Sequence, residues 1–195
     1  MTIYLVRHGE TEWNLVRRAQ GRLDSPLTPL GVRQAQAMAE LLADLIARDP
    51  PASWRLISSP LGRAQATAAI IGERLALPVS LDDRLREHTL GDLDGLQDHD
   101  LIPRFRTDVP SYERHFHEPS GESLQSIIAR VGDFLAGIGD DDRLIVVSHG
   151  ETGRILRGVY AGLDRQAMLT SRSPQDAVFR LMNGQVDRFA CEPLD

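Results

Sequence analysis

Short apolar runs alternate with longer stretches of helical period along this chain, a pattern that predicts an α/β domain built on a largely parallel sheet. Two observations sharpen the expectation. The run Leu144-Ile145-Val146-Val147 is apolar at every position, as strands covered on both faces are. The chain's 195 residues, 42% hydrophobic and 26% charged, suit one soluble globular domain over 1–195 with a sizeable core.

The elements follow in order. Residues 3–6 form a first apolar run. Residues 31–48 place Val32, Ala35, Met38, Ala39, Leu42, Leu45 and Ile46 on one stripe, the spacing of an amphipathic helix. Asp49-Pro50-Pro51 ends that helix, because proline lacks the N–H that would continue it. Trp54–Ser58 reads as a second strand, and 61–75 as a helix with Leu61, Ala64, Ala68, Ile71 and Leu75 inward. A short run, Val79–Leu81, precedes a polar stretch of Gly, Pro and His at 90–120 that fits no element; its length suggests a flap or insertion. Helical period returns at 122–138, the strand at 144–147 follows, and 152–162 is a further helix. Asn183-Gly184 between alternating runs predicts a closing antiparallel hairpin at 177–190. No linker or low-complexity tract interrupts the order.

Composition excludes several functions. The longest apolar stretches are four to six residues, far short of the roughly 20 a membrane span needs. The N-terminus runs from Met1 to Arg7 and His8 without a basic leader or a long apolar segment, so a cytoplasmic location is expected. The lone Cys191 excludes a disulfide within the chain and a thiolate metal cluster. A net charge of −6 with scattered basic residues argues against nucleic acid or anionic membrane as partner. An anionic substrate would therefore need a local positive pocket. A homodimer is compatible with these features.

Two strand-like runs end in histidine followed by glycine: Tyr4-Leu5-Val6-Arg7-His8-Gly9-Glu10-Thr11 and Val146-Val147-Ser148-His149-Gly150-Glu151-Thr152. In open parallel sheets the ligand crevice lies outside the carboxyl ends of the strands, so the two histidines could face one another across one site. Alternatively, each packs as a hydrogen-bonded histidine at a strand end. Their company favours the site. Arg7 adjoins His8, Asn14 lies six residues on, Arg63 follows the second strand, and Arg86-Glu87 follows the third run.

Arg7-His8-Gly9-Glu10-Thr11 with Asn14, Gln20-Gly21, Asp24-Ser25-Pro26-Leu27-Thr28, Ser58-Ser59-Pro60-Leu61 with Arg63-Ala64, Leu85-Arg86-Glu87 and Ser148-His149-Gly150 resemble, in order, the motifs of the histidine phosphatase superfamily. This is the phosphoglycerate mutase-like family, branch 1, in its phosphatase-type form. The likeness spans 3 to about 160 and fails across roughly 96–118. It implies a three-layer α/β/α sandwich with a mostly parallel central sheet and a phosphohistidine mechanism without metal or other cofactor, acting on a small phosphorylated substrate. Phosphoryl transfer is largely positioning and electrostatic stabilisation of charge on equatorial oxygens. Arg7 and Arg63 offer planar forks suited to those oxygens, and Asn14 and His149 further donors. His8 would be the nucleophile, its other ring N–H held by a backbone carbonyl. Glu87 would act as general acid and then base, which requires a raised pKa and an Arg86 turned away. Gln20, Gly21 and Gly150 would lie by the substrate, although Gln20-Gly21 also reads as a plain turn.

Other residues have plainer readings. Arg17, Arg18 and Arg22 are expected to be mostly solvated, Trp13 and Trp54 to serve packing, and His115 with His117 to lack the partners of a metal site. Glu151 would pair with Arg154 at i+3 or else face the pocket. The sequence Glu87-His88-Thr89-Leu90-Gly91-Asp92-Leu93-Asp94-Gly95 departs from the mutase pattern and resembles the phosphatases, with Asp for Glu. A phosphatase is the reading favoured. A bisphosphate-primed mutase and a non-catalytic phospho-ligand module are the alternatives.

Overall fold

The computed structural model describes residues 1–49 and 53–192. The chain begins with β1 (Thr2–Arg7), followed by one helical turn, α1 (Glu12–Leu15), in which Thr11 and Asn14 cap each other reciprocally. Helix α2 (Pro29–Arg48) starts two residues before the expected position, because Thr28 caps it and proline fits its first turn. Pro50 and Pro51, expected to stop it, lie outside the described residues; Asp49 is its C-cap. Strand β2 (Trp54–Ser58) leads into α3 (Gly62–Leu75), then β3 (Val79–Leu81).

Next comes the stretch that sequence left without an element. It carries 3₁₀ turns at Gly91–Leu93, Ile102–Arg104 and Arg114–His117 and a four-residue helix, α4 (Asp98–Leu101). None is long enough to show a period. Leu90, Leu93 and Leu101 nevertheless bury together against Leu96 and Phe105, so the segment has a small core of its own. Helix α5 (Leu124–Ala136), β4 (Arg143–Ser148) and α6 (Gly150–Tyr160) follow. Helix α7 (Arg165–Thr170) was not foreseen, since six residues hold less than two turns. The hairpin β5 (Ala177–Met182) and β6 (Gln185–Ala190) has the expected limits and turns through Asn183 and Gly184, both at positive φ.

The sheet order is β3-β2-β4-β1-β5-β6. Its first four strands run parallel, while β5 is antiparallel to β1 and β6 to β5. Alternation along the two central strands divides the core. Ile3, Leu5, Leu144 and Val146 point to one face, where α5, α6 and α7 cover them with Ile127, Val131, Ile155, Leu156 and Leu169. Tyr4, Val6, Ile145 and Val147 point to the other, against Met38, Leu42, Ala64, Ala68 and Ile71 of α2 and α3. The three layers expected from the family likeness are thus present. The connection leaving β1 passes over one face and that leaving β4 over the other, so these neighbouring strands flank a topological switch point with its crevice at their carboxyl ends.

The loop leaving β1 is clamped on α2 by a backbone-on-backbone approach. A Cβ on Gly9 would lie 2.2 Å from the Gly31 carbonyl oxygen, and one on Gly31 would lie 2.0 Å from that of Glu10. Gly31→Ala should therefore lower stability by about 1–3 kcal/mol in urea unfolding. Gly132→Ala, where nothing lies within 4 Å, should leave stability unchanged or raise it by up to about 1 kcal/mol. Equal effects at the two positions would refute the clamp.

Candidate active site

Arg7 and Ser148 are register partners in the parallel pair β1 and β4, so the residues that follow them leave the sheet side by side. These are His8 and His149, whose ring centroids are 5.2 Å apart. Both are buried, at 2% and 1% exposure. His8 Nδ1 lies 2.8 Å from the Gly9 carbonyl oxygen, which can only accept, so Nδ1 carries the proton and Nε2 keeps its lone pair. The Nε–H of Arg63 donates to that Nε2 at 3.2 Å. Burial first, then His149 and the guanidinium groups of Arg7 and Arg63, push the His8 pKa well below the ordinary imidazole value. The same burial and the same two arginines lower that of His149. His149 Nε2 is 2.7 Å from Ser59 Oγ, while its Nδ1 is buried without a partner among the described residues.

Arg63, in the first turn of α3, is 2% exposed. Its guanidinium donates to the carbonyls of Leu23 at 2.6 Å and Gly21 at 2.8 Å and to Asp24 Oδ1 at 3.0 Å. Asp24 also accepts from the backbone N–H groups of Gly62 and Arg63, so one carboxylate caps α3 and aims its arginine. Arg7 donates to the Ser173 carbonyl at 2.8 Å and keeps a buried Nε without a partner among the described residues. Asn14 Oδ1 accepts from Thr11 N–H and from Gln175 Nε2, and Gln175 also donates to the His8 carbonyl at 3.2 Å. Gly21 holds φ at +48°, and a Cβ there would run into the Asp94 carboxylate. Gln20 is buried and accepts from Ser25 Oγ at 3.1 Å.

Glu87 reaches the start of α6. Its Oε1 accepts from Thr152 N–H at 2.9 Å, Thr152 Oγ1 at 3.1 Å and His88 N–H at 3.0 Å, and its Oε2 from Glu151 N–H at 3.1 Å. The raised pKa expected of it is therefore corrected. Burial alone would lift it, but the N–H of Thr152, the charge of Arg63 and the N–H groups of Glu151 and His88 outweigh burial and hold the carboxyl below its ordinary value. Arg86 does turn away, to Asp83 at 2.9 Å. Helix α6 opens at Gly150, not at 152 as expected, because this carboxylate from another segment serves as its cap. Gly150 fits the crowded position, since a Cβ there would lie 3.4 Å from Arg7 Cζ and 3.6 Å from Glu87 Oε2.

Beside Glu87 opens a cavity of about 270 Å³ lined by Gly21, His88, His115, Glu151 and Phe105. The irregular segment thus does wall the pocket, through Phe105 and His115, whereas Phe116 is buried in the core and His117 faces Glu113 at 3.7 Å. Glu151 combines both readings: Oε1 is 3.4 Å from Arg154, while Oε2 is 3.3 Å from His115 Nε2 at the cavity wall. Arg22 meets Glu122 at 3.3 Å, Arg18 lies over the Trp13 ring, and Trp54 stacks on Tyr4. Arg7, His8, Asn14, Gly21, Arg63, Glu87, His149 and Gly150 are accordingly in one neighbourhood, whereas the side-chain contact of Gln20 is to Ser25. Gln175 was missed, and Asp24, Ser59 and Thr152 were seen only as motif letters. Lone polar residues gave no periodic signal.

Comparison with known proteins agrees with this fold. The family model described as the histidine phosphatase superfamily (branch 1) matches residues 3–190. A "Probable phosphoglycerate mutase GpmB" of Enterobacter sp. (strain 638) is 39% identical over 175 residues, covering 86% of this chain and 78% of the relative. Among solved structures, the alpha-ribazole phosphatase of Shigella flexneri superposes with a TM-score of 0.77 at 25% identity, covering 98% of this chain and 96% of that one. A mycobacterial glucosyl-3-phosphoglycerate phosphatase complexed with VO3 gives 0.76 at 29%, covering 98% and 99%.

Imidazoles kept neutral in the fold carry a pH signature. With folded pKa values lowered, the unfolded chain binds more protons as pH falls through about 6.5, so stability declines on acidification. Each such histidine adds a slope of up to about 1.4 kcal/mol per pH unit there. Urea midpoints between about pH 8 and about pH 5.5 should show this decline. In His8→Gln/His149→Gln only the share of His88 should remain. Glu87 adds a further loss only in the carboxylate range near pH 4.5. A double variant as steep as wild type would sink the assignment.

Proposed function

The chain belongs to the histidine phosphatase superfamily, branch 1, as an enzyme of its phosphatase and mutase kind, and within it we propose a phosphomonoester hydrolase acting through a phosphohistidine at His8. The observation that carries this reading is the state of the His8 ring. Nδ1 is committed to a backbone carbonyl, and Nε2 is an unprotonated nitrogen facing a guanidinium.

In the first step the His8 Nε2 lone pair forms a bond to phosphorus as the ester P–O bond breaks in line. Arg7, Arg63, Asn14 and His149 hold the equatorial oxygens, with the buried Nε of Arg7 and Nδ1 of His149 donating to them. The contact from Arg63 Nε to His8 passes to a phosphoryl oxygen. Glu87 rests ionised, but phosphoryl charge between the arginines and the carboxylate raises its proton affinity. It therefore takes up a proton with the substrate and gives it to the leaving oxygen. In the second step Glu87 takes a proton from water, the water oxygen bonds to phosphorus, and the Nε2–P bond breaks.

The lining of the pocket supports water over a second phosphate as the acceptor. A bisphosphate primer would set its other phosphate in the cavity against Glu87 and Glu151, a like-charge contact without an arginine in the lining. The mutase is kept as the second reading because the GpmB relatives carry that name. The small phosphorylated substrate, the single domain over 1–195 and a cytoplasmic setting belong to the same proposal.

The test is phosphate release from a panel of phosphomonoesters in the presence of a chelator, with phosphohistidine trapped by rapid quench. The panel includes 3-phosphoglycerate with and without a bisphosphate primer. His8→Ala should lose both signals, Glu87→Gln should fall by about 10²–10⁴-fold, and Asp24→Asn should lose activity through misaligned Arg63. Isomer interconversion with little release would establish the mutase instead, and release undiminished in His8→Ala would overturn the mechanism.

A further inference from the structure

A second, larger cavity lies away from the cavity beside Glu87. It has about 670 Å³ between the end of α6, the segment before β5 and the hairpin, and its lining includes Arg157, Arg172 and Arg188 together with Leu163, Phe179 and Val186. Arg157 is 5% exposed and stands over the Phe179 ring with its Cζ 3.8 Å from the centroid. None of the three arginines has a carboxylate within ion-pair distance among the described residues, although Asp176 is also in the lining. A buried guanidinium without a counter-charge is costly, and neighbouring arginines add to the cost. Burial, and then Arg154, accordingly draw the Arg157 pKa down to about 10.

We propose that this cavity is a second ligand site, taking a small amphipathic anion whose charged group meets the three arginines and whose apolar body packs on Phe179, Leu163 and Val186. A pocket mostly apolar with a few convergent charges is the usual form of a small-molecule site, and this one is large enough for a drug-sized ligand.

The site is wired to the catalytic pocket by residues 171–175. Arg157 donates to the Arg172 carbonyl at 2.7 Å, and Arg7 donates to the next carbonyl, Ser173, at 2.8 Å. Gln175 then holds Asn14 and the His8 carbonyl. A ligand anion competes with the Arg172 carbonyl for Arg157, and the peptide released is adjacent to the one that positions Arg7. Occupancy therefore changes phosphate affinity at His8, and phosphate reciprocally changes affinity for the anion.

The test uses 8-anilinonaphthalene-1-sulfonate, an aromatic anion, as probe on the whole protein. Calorimetry and fluorescence should show saturable one-site binding below about 1 mM. Charge reversal at the exposed rim, Arg172→Glu/Arg188→Glu, should weaken it by at least about tenfold, and Val186→Trp should abolish it by filling the cavity. Inorganic phosphate binding in the absence of probe should be the same in wild type and both variants, which separates a lost site from a misfolded chain. The probe should shift phosphate affinity in wild type only, the arm that rests on phosphate binding at His8. Absent saturation, or probe binding equal in all three proteins, overturns the site. Probe binding without any shift in phosphate affinity overturns the coupling. If the catalytic reading alone is wrong, the probe still binds while phosphate does not.

Discussion

Arg63 is a guanidinium with almost no contact with water, and the shape of the pocket follows from making that tolerable. Desolvating such a group costs several kcal/mol unless its donors are met. Here they are met by two carbonyls, one carboxylate and the Nε2 of His8. Each acceptor brings its own segment. The loop at Gly21 to Asp24 is drawn over the crevice, α3 is capped by the same Asp24, and the His8 ring is fixed in one tautomer. The acidic surface of the chain is compatible with an anionic substrate because the positive charge is concentrated and desolvated at this one place.

The second organising feature is the shared end of β1 and β4. Adjacent parallel strands bring two imidazoles together, and the helix that follows β4 offers its first N–H groups to Glu87. These donors stabilise a carboxylate, not a carboxylic acid. In the mechanism we propose, general acid behaviour is then conferred by the substrate's own charge. The resting enzyme would hold a base and acquire an acid only when a phosphoryl group arrives, so proton supply and substrate binding are a single event.

Much of this was legible in the sequence. Trp54–Ser58 and the Asn183-Gly184 hairpin have the limits expected, because alternation and turn chemistry are local signals. The layered fold and the grouping of His8, Arg7, Arg63, Glu87 and His149 were likewise foreseen, while the outward turn of Arg86 was only a condition attached to a raised Glu87 pKa. The pKa direction of Glu87 was not, since it depends on N–H groups more than 60 residues further along the chain. The irregular stretch at 90–120 hid its turns because its core contacts are few and individually short. Gln175 lies in a segment without regular structure, where only tertiary contact shows that one amide supports both Asn14 and His8.

The strand order has a consequence for how the molecule comes into being. β1 is synthesised before both of its neighbours in the sheet, β4 and β5, which end at Ser148 and Met182. An apolar strand must therefore wait without its lateral partners while the residues between Arg7 and Arg143 are made. Long-range pairing of this kind slows folding and leaves apolar edge exposed in the interval. The nascent chain is consequently most vulnerable to misassociation after β1 has emerged and before the β5–β6 hairpin closes, and the crevice that β1 supplies cannot be complete until β4 has joined it.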